Sequence, residues 1–186
     1  ELLSKWLYRK IALGIVAAIV LTALGIGTYR QVRCWNNSST LFTHAIEVTN
    51  NNYLAHGGLG QEFERRNDTT SAIEHYEKAL QIAPNNLLAL NNLGYLMGGK
   101  GDFKKAIEYL QQAIQVKADS AEAYGNLGLV MQAQGNYDEA IKNFAHVAQL
   151  RPDLAKPLNN LGNAYGKVGR YQDAIESYTQ AIRIEP

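Results

Sequence analysis

One cysteine, Cys34, is all the chain contains. A lone thiol makes neither an internal disulfide nor a metal cage. The histidines His44, His56, His75 and His146 fall at no metal-ligand spacing and read as helix-surface or packing residues. No glycine-rich loop of the phosphate-cradling kind is present. A basic surplus is also missing from the main body: residues 53–186 hold thirteen Lys/Arg against fifteen Asp/Glu. That balance argues against a nucleic-acid surface. Asp138-Glu139 and Asp173 stand where second helices begin, and acidic groups there complement the helix dipole without acid–base chemistry. Neither catalysis nor a cofactor or metal is indicated.

Charge is absent from one stretch altogether. Residues 11–29 are uncharged and mostly Ile, Leu, Val, Ala and Gly. As a helix they would extend about 28 Å, close to the hydrocarbon thickness of a bilayer. Trp6 and Tyr8 flank one end, Tyr29 and Trp35 the other, as interfacial aromatics do. The run predicts a transmembrane helix within residues 1–33. A buried core helix would need a polar face, which is lacking. A cleaved signal peptide would use Lys5, Arg9 and Lys10 and the small residues of Ala23-Leu24-Gly25, but the run is long for one. Three basic residues before the run and Arg30 and Arg33 after it favour repeats outside the cytoplasm, in a periplasm or lumen. Gly14-x-x-x-Ala18 and Ala23-x-x-x-Gly27 would admit other transmembrane helices. Glu1 is not a start methionine, so the chain reads as an internal piece of a longer polypeptide.

Residues 34–52 carry one helical pattern, with Leu41, Phe42, Ala45, Ile46 and Val48 as its apolar positions. Asn36, Asn37 and Ser38 offer caps, and Asn50-Asn51-Asn52 breaks it. Phe42 and Ala45 precede Tyr76 and Ala79 by 34 residues, the step at which the rest of the chain repeats, which predicts a half-repeat or capping helix. Asn36, Asn37 and Asn67 open Asn-x-Ser/Thr triplets, which matter only in a eukaryotic secretory pathway.

The strongest regularity is a 34-residue step. It links Leu59-Gly60, Leu93-Gly94, Leu127-Gly128 and Leu161-Gly162, and it links Ala72, Ala106, Ala140 and Ala174. It also links Pro84, Pro152 and Pro186, with Ala118 in the place between. The units are 53–86, 87–120, 121–154 and 155–186, the array being free to continue. Each holds two apolar stripes: in the second unit Leu90, Leu93 and Met97, then Ala106, Ile107, Leu110, Ala113 and Ile114. Gly101, Gly135 and Gly169 stand between stripes, with Asn67 in the first unit, and favour the left-handed turn that closes a helix. A glycine inside a helix costs about 1 kcal/mol relative to alanine, so the recurrent Leu-Gly glycine implies close packing there. The matching alanines would let paired helices approach, and Tyr76, Phe144 and Tyr178 would fill space towards the next unit.

This pattern resembles the tetratricopeptide repeat. His56 departs from it in place of a bulky apolar residue, Thr69 in place of an aromatic and Ala118 in place of a proline. The resemblance implies an α-solenoid over residues 53–186, so that with the apolar run the chain is expected to be all-α: a transmembrane helix followed by an α-solenoid. It also implies a concave groove lined by first helices. Asn92, Asn126 and Asn160 share one groove position, Asn91 and Asn159 precede two of them, and Asn163 sits one turn on. This set is similar to the asparagine ladder of the O-GlcNAc transferase repeats, which holds extended peptides. Asparagine offers both a donor and an acceptor, as a peptide backbone does. Gly58 occupies the position in the first unit, leaving three rungs. The same asparagines can instead serve hydrogen bonds between repeats. Lys156 is groove-like, but the remainder of the carboxylate-capturing basic set is missing.

The junction Arg33-Cys34-Trp35 and Ser39-Thr40-Leu41-Phe42-Thr43-His44-Ala45 resembles the C-terminal part of transmembrane-and-tetratricopeptide O-mannosyltransferases. The expected role is a membrane-anchored scaffold that binds a protein or extended peptide. One alternative is the substrate-presenting tail of a protein O-glycosyltransferase, whose catalytic carboxylates would lie upstream. Another is an accessory subunit of a larger membrane complex.

Overall fold

The computed structural model describes residues 15–16, 19–29 and 38–185. It divides into two units, residues 1–50 and residues 51–186. In the first unit, the described residues of the apolar run are helical, and Ile15, Val16, Ile19, Leu21, Leu24 and Tyr29 are exposed. Among the described residues no helix is long and apolar enough to cross a membrane. Part of the expected span, and its flanking Trp6, Tyr8 and Trp35, lie outside the described residues. Helix α1 (Ser38–Val48) follows in the same unit and buries none of its residues.

The second unit is helical throughout its elements. The helices are α2 (Tyr53–Arg65), α3 (Thr69–Ile82), α4 (Leu87–Gly99) and α5 (Phe103–Val116). They continue as α6 (Ala121–Ala133), α7 (Tyr137–Leu150), α8 (Ala155–Lys167) and α9 (Tyr171–Ile184). First helices start 34 residues apart, at Tyr53, Leu87, Ala121 and Ala155. Short polar side chains set several of these starts. Asn52, Asp68, Asn86, Asp102 and Ser120 each accept the backbone N–H three residues on, at 2.9–3.3 Å. Such caps satisfy donors that the first turn cannot, at about 1 kcal/mol each. First helices end where the chain turns left-handed, at Asn67 (φ 59°), Gly101 (φ 81°), Gly135 (φ 79°) and Gly169 (φ 77°). Those turns fold the helices into hairpins α2–α3, α4–α5, α6–α7 and α8–α9.

The glycine of each first helix receives the large side chain of its own hairpin partner. A methyl group built on Gly60 would lie 2.5 Å from Tyr76 Cε1, one on Gly128 2.5 Å from Phe144 Cε1, and one on Gly162 2.7 Å from Tyr178 Cε1. At Gly94 it would collide with the Leu110 side chain. Each ring lies across its own hairpin, because a glycine sixteen residues earlier leaves room for it there. Tyr76 and Phe144 also fill space towards the next unit, as expected: Tyr76 shares a core with Ala89 and Leu93, and Phe144 with Leu161 and Ala164. The alanines 72, 106 and 140 are fully buried, and Ala174 is 5% exposed.

Successive hairpins join through apolar residues of second helices. Ile141 packs in one core with Leu161 and Ala164 of α8 and is 8% exposed. Its equivalent in the last helix, Ile175, is 59% exposed, and Ile182 and Tyr171 share that open face. The first hairpin differs at another core position. Leu96, Val130 and Ala164 are buried apolar residues, and their equivalent in α2 is the buried Glu62. Its carboxylate is held by Arg65 and by Arg66, the latter at 2.7 Å. Burial alone would raise its pKa; the two guanidinium partners outweigh that and lower it.

Two substitutions within α6 separate packing from propensity. Gly125→Ala adds a methyl group that meets nothing within 4 Å, so it should stabilise by up to about 1 kcal/mol. Gly128→Ala gains the same propensity but overpacks Phe144, at a cost of about 1–3 kcal/mol. Urea midpoints should therefore move up for the first and down for the second; equal shifts would contradict the glycine–ring contact.

Candidate functional site

The asparagines singled out by the repeat pattern do not share one environment. Asn91 is 1% exposed. Its Nδ2 lies 3.5 Å from Glu122 Oε2, and its backbone carbonyl accepts from Asn126 Nδ2, also at 3.5 Å. Its Oδ1 is buried without a hydrogen-bond partner. Asn91 is therefore buried between α4 and α6. Asn92 donates to Tyr76 Oη at 2.9 Å, and that hydroxyl donates to Glu64 Oε2 at 3.0 Å. Burial, reinforced by the Glu64 charge, holds the Tyr76 phenol well above its usual pKa and keeps it a neutral donor. Asn163 is similarly tied: its Oδ1 accepts from Tyr178 Oη at 2.6 Å. Asn159 is exposed on α8.

Asn126 and Asn160 converge on one cavity of about 300 Å³ between α6 and α8. Leu129, Phe144 and Val147 form its apolar floor, with Leu154 and Pro157 beside them. Phe144 and Val147 are buried, while Glu122 and Lys156 are exposed and so stand at its mouth. Asn92 lies apart, on a shallower polar recess with Gln61, Glu64 and Arg65. The three expected rungs thus resolve into one pair on a cavity and one amide already bound to a tyrosine. Gly125, which also lines the cavity, escaped the sequence reading. Its signal was a gap in a column: it stands 34 residues from both Asn91 and Asn159.

Among the described residues no group of three or more His, Cys, Asp or Glu is arranged to hold a metal. Two histidines do meet. His56 Nδ1 and His75 Nδ1 are 3.0 Å apart across the α2–α3 hairpin, with Phe63 stacked on His75. One ring must donate and the other accept, so the accepting ring must be neutral and the contact is lost when both are protonated. Burial lowers the pKa of both, Lys78 adds to this at each, and the His56 ring adds to it at His75, against a smaller opposing effect from Glu74. A histidine with a folded pKa below its unfolded value binds fewer protons when folded. Its stabilising contribution is present above the unfolded value, near 6.5, and is lost as pH falls towards the folded one. Thermal stability should therefore fall between about pH 7 and pH 5, ahead of carboxylate titration. A His56→Leu, His75→Leu double variant should flatten that slope, and an unchanged slope would remove the pair as its cause.

Hairpins stacked at a 34-residue step, with first helices lining a cavity, define a helical-repeat binding scaffold. Comparison with protein families agrees. A tetratricopeptide-repeat model matches residues 119–185, and a second TPR-repeat model matches residues 60–101 and 99–135. Together they extend over residues 60–185, and the chain belongs to the tetratricopeptide-repeat family. No curated protein sequence matches it. Among solved structures it is similar to a crystal structure of MamA, with 23% identity and a TM-score of 0.73 over 85% of this chain and 92% of that one. A double mutant of MamA RS-1 has 19% identity and a TM-score of 0.74, over 86% and 93%. MamA AMB-1 has 20% identity and a TM-score of 0.69, over 87% and 92%. At these identities the likeness is one of fold. Nothing in these matches supports the glycosyltransferase-type junction.

Proposed function

We propose that the repeats hold an extended polypeptide segment along the first helices α4, α6 and α8. In this reading 53–86, 87–120, 121–154 and 155–186 are the working units and 34–52 is their cap. The observation that carries it is the convergence of Asn126 and Asn160 on a single apolar-floored cavity. Their amides sit beside apolar surface that a bound segment would cover, and a hydrogen bond to a peptide backbone counts for more once water has been displaced. Asn92 contributes less, since it lies off this cavity, on the recess with Gln61, Glu64 and Arg65. Replacing Asn126 and Asn160 together by alanine should weaken partner binding about tenfold or more while leaving helicity intact. Asn92→Ala should act mainly on stability, through the Tyr76–Glu64 chain. Unchanged affinity in the Asn126, Asn160 double variant would defeat the proposal.

The scaffold is anchored in this reading by residues 11–29, with Tyr29 and the aromatic flanks at the interfaces and the repeats outside the cytoplasm. The support is the uncharged apolar run itself. The O-mannosyltransferase-like and accessory-subunit alternatives rest on that run and on the junction after it, much of which lies outside the described residues. In a Cys34→Ser background, Asn136→Cys should react with a membrane-impermeant maleimide in intact cells. Labelling only after lysis would reverse the topology, and recovery in the soluble fraction would remove the anchor.

A further inference from the structure

The three joints between successive first helices are built on the same plan but filled differently; at the α2–α4 joint the position is Gly57, and a Cβ there would meet the Leu88 side chain at 3.4 Å. At the α4–α6 joint, the Asn91 side chain occupies the space between the helices, next to Glu122 and Asn126. One repeat later the equivalents are Gly125 for Asn91, Lys156 for Glu122 and Asn160 for Asn126. There a Cβ on residue 125 would meet nothing within 4 Å. The cavity at the α6–α8 joint is lined by Gly125, the position whose equivalent at the preceding joint carries the Asn91 side chain. Gly125 stands inside a helix, where glycine is unfavourable. No neighbour requires it there, unlike Gly128 one turn on, which lies under Phe144.

From this juxtaposition we infer that the cavity receives one large apolar side chain, of the Leu, Ile, Met or Phe class, projected from the bound polypeptide. Its floor of Leu129, Phe144 and Val147 offers no hydrogen bond to a polar group, so a polar side chain seated there would lose its water without compensation. The volume is at the small end for ligand sites, which suits a single side chain rather than a whole cofactor. Asn126 and Asn160 flank it, in place to take the backbone on either side of the anchor. The inference rests on the polypeptide-binding proposal above and adds the residue class that the groove selects.

The test starts from a random heptapeptide library displayed on phage and selected on the whole chain. Enriched peptides should share an apolar residue at a fixed place. As synthetic peptides they should lose about tenfold or more in affinity when that residue becomes serine. Gly125→Asn, which installs the filler used at the preceding joint, should cost the same peptides a similar factor while thermal stability holds or rises. Enriched peptides that depend on Asn126 and Asn160 but ignore both the serine exchange and Gly125→Asn would overturn the anchor and leave the polypeptide groove standing. A selection that enriches no peptide would overturn both.

Discussion

The contact between a first-helix glycine and the large side chain of its hairpin partner is what the array depends on. A β-carbon at Gly60, Gly94, Gly128 or Gly162 would overlap Tyr76, Leu110, Phe144 or Tyr178. The helices of each pair therefore approach as closely as a bare backbone permits, and the conformational cost of glycine is offset by burial of a ring or a leucine. Close approach in turn brings the second helix of one hairpin against the first of the next, as Ile141 against Leu161 and Ala164. A repeat cannot bury its apolar face alone, so each hairpin is stable only in the company of its neighbours.

Within that repeating frame the chain differs where function is read. The first hairpin carries a buried carboxylate, Glu62, where later hairpins carry Leu96, Val130 and Ala164. It also carries a histidine pair, and its ring at position 76 bears a hydroxyl that binds Asn92. The joint between α4 and α6 is closed by Asn91, and the joint between α6 and α8 is open at Gly125. One backbone plan thus supports a filled joint and an open one, the two differing at Asn91 against Gly125 and at Glu122 against Lys156.

Much of the fold was legible from spacing. The apolar stripes and the glycines recur at one step, and helix ends are set by local chemistry: a capping side chain at the start, a left-handed glycine or asparagine at the finish. The glycine–ring pairing was legible only in part. The need for close packing at Gly60 follows from propensity, but the direction in which Tyr76 points depends on how two helices cross. The asparagine column showed the limits of spacing more sharply. It treated Asn92, Asn126 and Asn160 as equals, and the partners that distinguish them come from other elements.

By itself the sequence determined the hairpin array of residues 53–186, because helix periodicity, caps and turn residues act over a few positions and repeat at 34. It also marked residues 11–29 as the uncharged run. Only the tertiary structure decided which amides are spent and which face a cavity. Tyr76 reaches Asn92 from the preceding hairpin, and Glu122 reaches Asn91 from the following one. Hydrogen bonds and voids between elements depend on helix crossing and side-chain direction, which residue spacing does not encode. For that reason spacing alone does not separate the two glycines of this column: a Cβ on Gly57 would meet Leu88, whereas one on Gly125 would face open space.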